Sequence, residues 1–126
     1  MERHPKAIRD LHLLSYYFPP MAIVSFLHRI SGILLVTAIP AWIYIFGLSV
    51  HDAQSFEAVR QGFSLAWVKG LMLIGVWSLI HHFMAGCRFL LLDFGVGKSL
   101  AVARGSAMVV LMLSLGFTLL VGIWLL

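Results

Sequence analysis

Three long apolar runs separated by two short polar stretches dominate the chain. No Asp, Glu, Lys or Arg occurs from Ile30 through His51, which is enough uncharged helix to cross a hydrocarbon layer of about 30 Å. The pattern predicts three membrane-spanning helices, over about 22–49, about 64–93 and about 104–126. Pro19-Pro20 suits the opening of the first span, because proline fits the first turn of a helix. Pro40 is expected to bend it, since its ring removes a backbone donor. Lys69 near the start of the second span can snorkel to the outer interface. The third span carries no charge after Arg104 and reads as packing and lipid contact. Residues 50–62 read as a short polar loop with at most a helical turn, and 94–103 as a glycine-containing loop with Lys98. Residues 1–20 mix Glu2, Arg3, Lys6, Arg9 and Asp10 with Tyr16-Tyr17-Phe18. That is the pattern of a surface segment ending in an aromatic interfacial belt, not of a cleavable signal. One domain over 1–126 is expected, all-α and integral to a membrane.

Composition strengthens this reading. The chain is 61% hydrophobic and 11% charged, against roughly 45–50% and about 25% in soluble domains, so lipid must solvate much of it. The net charge of +4 lies beside apolar spans rather than in a patch, which argues against a nucleic-acid partner. It bears on orientation instead. The N-terminal segment holds Arg3, Lys6 and Arg9, and the second loop holds Lys98 and Arg104 with Arg88 near its edge. The first loop has only Arg60, offset by Asp52 and Glu57. By the positive-inside rule the N-terminus is cytoplasmic, in a bacterial inner membrane (or on the matrix side of the mitochondrial inner membrane), and the C-terminus is on the far side. The single cysteine, Cys87, excludes an internal disulfide and a Cys-x-x-Cys-His attachment site. It lies about 140° around the helix from His82 and reads as lipid-facing.

Candidate chemistry concentrates in Leu79–Gly95, where two histidines lie deep in an apolar run that ends in Arg88 and Asp93. Ionisable groups inside a membrane helix are costly and mark ligand, proton or ion sites by default. At about 100° per residue, Gly75, Ser78, His82, Gly86, Phe89 and Asp93 share one stripe. Small residues there admit a neighbouring backbone or a flat macrocycle, and an imidazole there can ligate iron. This points to His82 as a haem ligand, with Gly86 leaving space for the porphyrin and Ser78 a candidate acceptor for the second ring N–H. His81 points about 100° away and reads as a packing or interfacial histidine. On the first span Ser25, His28, Arg29 and Gly32 form a second stripe, with His28 and His82 at depths about 6 Å apart. His51 lies roughly 20 Å or more from His82 in depth and cannot share its iron. Taken singly, each residue keeps a plainer reading: a hydrogen-bonded histidine, a snorkelling Arg29, a helix-packing Ser25, a helix end at Asp93. Three spans also make a thin bundle, so enclosing a haem calls for helices from another chain. A haem-free helical assembly or transport protein stays open at this point.

Ser25-Phe26-Leu27-His28-Arg29-Ile30-Ser31-Gly32 resembles the Ser-x-x-His-Arg-x-Ser/Thr-Gly element of the cytochrome b subunits of succinate dehydrogenase (respiratory complex II). His82-x-x-x-Gly86-x-Arg88-Phe89-x-x-x-Asp93-x-Gly95 resembles their second signature, in the expected order and spacing. The resemblance implies that His82 is an axial ligand to one haem b shared with a second, smaller anchor subunit. It implies that His28 and Arg29 lie near the haem propionates, and that Ser25, Arg29 and Asp93 line a ubiquinone site. An iron–sulfur subunit would deliver the electrons and a flavoprotein subunit would oxidise succinate. The chain itself has neither a Gly-x-Gly-x-x-Gly fingerprint nor a cluster-binding set of cysteines, so it would be part of an oxidoreductase and not a complete enzyme. The alternative within the same class is the anchor of a fumarate reductase or menaquinone-linked relative. Departures from the family pattern are Ala7-Ile8 where Arg-Pro is usual, Phe89 where many members have histidine, and Leu92 where Met or an aromatic is usual.

Overall fold

The computed structural model describes residues 19–125; the expectations for the N-terminal segment and its aromatic belt lie outside them. Among the described residues four helices follow one another: α1 (Pro20–His51), α2 (Ala53–Ser64), α3 (Ala66–Asp93) and α4 (Leu100–Leu125). Three of them, α1, α3 and α4, are long and apolar enough to cross a membrane.

Local chemistry sets the boundaries. Pro20 occupies the first turn of α1 behind an extended Pro19, where a missing N–H costs nothing. The helix runs on through Pro40 to His51. Asp52 then adopts an extended backbone, which ends α1, and its carboxylate accepts from the Ser55 N–H at 2.7 Å, which caps α2. The expected loop is thus a three-turn helix. Its polarity goes with a helix that buries none of its residues rather than with irregular backbone, and Glu57 braces it by accepting both Arg60 Nε–H and Nη2–H at 2.7 Å. At the other end of α3, Gly95 takes φ +88°. The Val96 N–H reaches Leu91 O at 2.9 Å and the Gly95 N–H reaches Leu92 O at 3.0 Å. This is a Schellman closure, whose left-handed residue favours glycine.

α3 packs against both α1 and α4, which also touch each other, and α2 lies against α1 and α3. The shared interior is built from small side chains: Ala85, Ala103, Ala107, Ser31, Ser78 and Ser114 are buried. Phe26, Ile43, Phe83, Leu120 and Trp124 point outward. Membrane helices associate through close packing and interhelical hydrogen bonds, because lipid tails give no hydrophobic drive between helices. An interior of Ala and Ser with a surface of large apolar groups follows from that.

Candidate functional site

α1 and α3 run antiparallel, so the start of α1 meets the end of α3. There His28 and His82 stack face to face, with ring centroids 4.1 Å apart and planes 8° from parallel. The Phe89 ring meets His28 edge-on at 5.2 Å. Glycine makes the approach possible: a Cβ on Gly32 would lie 3.0 Å from His82 Cε1 and 3.3 Å from Nδ1. Gly86 faces the His28 ring, whose Nε2 would be 3.6 Å from an added Cβ. The space expected beside Gly86 for a porphyrin is therefore in contact with His28.

His82 Nδ1 lies 3.1 Å from the His28 carbonyl oxygen and 3.3 Å from Ser31 Oγ. A carbonyl can only accept, so Nδ1 must carry the proton. Ser31 is consistent with this, because its hydroxyl donates to the same carbonyl at 2.9 Å and leaves its lone pairs toward the imidazole. Hydrogen bonding at one ring nitrogen assigns the lone pair to the other. Nε2 is then the available ligand atom, with no hydrogen-bond partner among the described residues and no burial that seals it. A metal-binding histidine is normally oriented in this way, through its second ring nitrogen. The expected acceptor, Ser78, does not serve. Its Oγ is buried without a partner, because the imidazole leans into the Gly32 niche on α1 instead of back along α3.

His81 separates fully from its neighbour. It is 0% exposed, stacks on Trp77 at 5.2 Å, and places Nδ1 3.2 Å from Ser114 Oγ on α4. It packs in the interior and is not interfacial. Arg88, expected at the edge of the loop, is only 6% exposed. It donates Nε–H to Ser106 Oγ and Nη2–H to Ala103 O, each at 3.0 Å. Thus α4 supplies specific polar contacts as well as packing. Ser31, which faces His82 Nδ1, stands in the Ser25–Gly32 motif without an expected role; its signal was the place three residues after His28.

The remaining predicted residues sit at the same end of the bundle. Ser25 is half-buried, while Arg29 and Asp93 are exposed. Among the described residues no side-chain hydrogen bond or ion pair joins them to one another or to His82. His51, at the far end of α1, pairs with Asp52 at 2.6 Å, and Cys87 is exposed. Among the described residues no group of three or more His, Cys, Asp or Glu could hold a metal ion by itself.

A sequence model described as the succinate dehydrogenase/fumarate reductase transmembrane subunit matches residues 3–121. The succinate dehydrogenase cytochrome b556 subunit of Coxiella burnetii is 34% identical over 116 residues, covering 91% of this chain and 93% of that protein. The protein of the same name from Paracoccus denitrificans is 32% identical over 97 residues, 76% of this chain and 74% of that one. With the match running through all three spans and both histidine-bearing elements, the chain belongs to the succinate dehydrogenase/fumarate reductase transmembrane subunit family.

Proposed function

We propose that this chain anchors a succinate dehydrogenase in the bacterial inner membrane and shares one haem b with a second small anchor subunit. The observation that carries the reading is the oriented imidazole of His82, with Nδ1–H directed at the His28 carbonyl and Nε2 left to ligate. Bound there, haem b would supply a redox centre within the lipid, between an iron–sulfur subunit and ubiquinone. His28 and Arg29, at the same end of α1, offer hydrogen-bond donors and positive charge to haem propionates. Ser25 and Arg29 can donate to the carbonyl oxygens of a quinone. Asp93, exposed at the end of α3, is placed to exchange protons with water for its reduction. Succinate oxidation belongs to a flavoprotein subunit. Both relatives named above are succinate dehydrogenase subunits, which favours ubiquinone reduction over the fumarate reductase alternative. Lys98, between α3 and α4, and Arg104, in the second turn of α4, support a cytoplasmic N-terminus.

The test is the reduced-minus-oxidised visible spectrum of the purified complex. His82→Ala is expected to abolish the b-type bands, and His81→Leu is expected to keep them. Bands that survive the first substitution and vanish with the second would move the ligand to His81 and refute the assignment.

A further inference from the structure

Arg88 raises a question that neither the histidine pair nor the quinone residues answer. It is nine-tenths buried between two apolar helices, yet no carboxylate lies within ion-pair distance of it among the described residues. Asp52 and Glu57 belong to the opposite end of the bundle, engaged with His51 and Arg60. Asp93 is five residues further along α3, about 140° around the helix. A guanidinium carries five N–H donors, and Arg88 directs two of them at Ser106 Oγ and Ala103 O. Its guanidinium carbon also lies 5.4 Å from the centre of the Phe89 ring, but none of these partners carries a counter-charge, and membrane proteins retain a cation in hydrocarbon where it pairs with something.

Beside it runs a groove of about 570 Å³, within the size range of small-molecule sites. Its walls are apolar and come from both helices: Phe83, Cys87 and Leu91 on α3, Val102 and Val109 on α4, with Arg88 the one charged lining residue. Arg88 lies about 7–8 Å inside the end of α3, from the rise per residue. Lys98 and Arg104 are both exposed at that same end. An apolar slot leading to a guanidinium with no counter-charge, just below a basic rim, has the chemistry of a phospholipid with a net negative headgroup. Its acyl chain would fill the slot, and its phosphodiester would meet the planar fork of the arginine, which matches phosphate oxygens two at a time. Basic pockets between spans on the cytoplasmic side take anionic headgroups for this reason.

We propose that the α3–α4 groove binds one anionic phospholipid, with Arg88 holding the phosphodiester and Lys98 and Arg104 selecting the charge. This site is separate from the histidine pair, which faces α1, and stands whether or not His82 binds haem. The test uses the intact, delipidated complex and native mass spectrometry, with dioleoylphosphatidylglycerol, dioleoylphosphatidylcholine and water-soluble glycerol phosphate as probes. One phosphatidylglycerol per chain is expected to be retained in preference to phosphatidylcholine, and glycerol phosphate is not expected to bind. Arg88→Gln should lower retention about tenfold or more, as loss of a charge-assisted contact implies, and Arg88→Lys should restore part of it. Because Arg88 also ties α3 to α4, a second variant is needed: Val109→Trp obstructs the exposed wall of the slot and leaves the guanidinium intact. It should lower retention comparably without loss of assembly. Equal retention of the two lipids, binding of glycerol phosphate alone, unchanged retention in Val109→Trp, or a groove closed to lipid by a partner helix in the complex would each overturn the proposal.

Discussion

Adding a single methyl group at Gly32 tests the histidine site at its tightest point. In Gly32→Ala the new Cβ would sit 3.0 Å from His82 Cε1 and 3.3 Å from Nδ1, closer than carbon makes contact without displacement. The imidazole cannot swing freely to make room, because one of its faces lies on the His28 ring 4.1 Å away. Relief requires α1 to move outward from α3 or the ring to leave the His28 carbonyl. Overpacking of this kind costs about 1–3 kcal/mol, and loss of one interhelical hydrogen bond adds about 0.6 kcal/mol. The intrinsic preference of helices for Ala over Gly returns up to about 1 kcal/mol, so the steric cost prevails. A ligand whose orienting contact is disturbed typically loses about 10–100-fold in metal affinity. The assay is haem content per purified complex, by pyridine haemochrome, with Gly47→Ala as the control on the same helix, where an added Cβ meets nothing within 4 Å. Haem loss in Gly32→Ala with full content in Gly47→Ala is expected. Wild-type content and midpoint potential in Gly32→Ala would refute the argument that this niche orients the ligand.

Other predictions follow from particular contacts. Ser31→Ala removes one acceptor facing His82 Nδ1 but leaves the His28 carbonyl; it should shift the haem midpoint potential while keeping haem content, as potentiometric titration would report. Arg29→Ala is expected to depress quinone reduction more than succinate oxidation with a soluble artificial acceptor, and equal losses would assign Arg29 to assembly. Acidification should spare α2 until well below neutral pH. Arg60, then Gln61, hydrogen-bonds Glu57 and holds its pKa down from 4.5 to about 2. A depressed carboxyl pKa stabilises the folded helix fully above the unfolded value and loses that effect as pH falls through the folded value. Amide exchange protection across α2 should therefore hold down to about pH 4.5 and fade toward about pH 2, and Glu57→Gln should weaken that dependence, leaving the part owed to the Asp52 cap, whose carboxyl the Ser55 N–H also holds below its usual value.

The spans were legible because charge is excluded from hydrocarbon, and the runs from Ile30 through His51 and after Arg104 leave little other interpretation. The pairing of the Ser25–Gly32 and His82–Gly95 elements was legible from depth alone. What depth does not convey is azimuth. The rotation of α1 against α3 decides that His82 bonds to α1 and not to Ser78, and that two imidazoles stack rather than merely share a level. The same limitation applies to Arg88, where a charge near a helix end reads as interfacial until the neighbouring helix is in place. α2 was illegible for another reason. Its polar composition resembles a loop, and what holds it as a helix, the Asp52 cap and its packing against α1 and α3, involves residues that singly suit a loop equally well.

Asp52 both closes α1 and opens α2, and Leu65 alone separates α2 from α3. The far end of the α1–α3 pair is thus tied by a short rigid brace with almost no slack in the chain. The end that carries His28 and His82 has no covalent tie of this kind between the two helices, which meet there through side chains. Any partner that pries the helices apart must open them like a clothes-peg, hinged at the brace and parting first at the imidazoles. Docking force applied at that end is thereby delivered to the residues most sensitive to it.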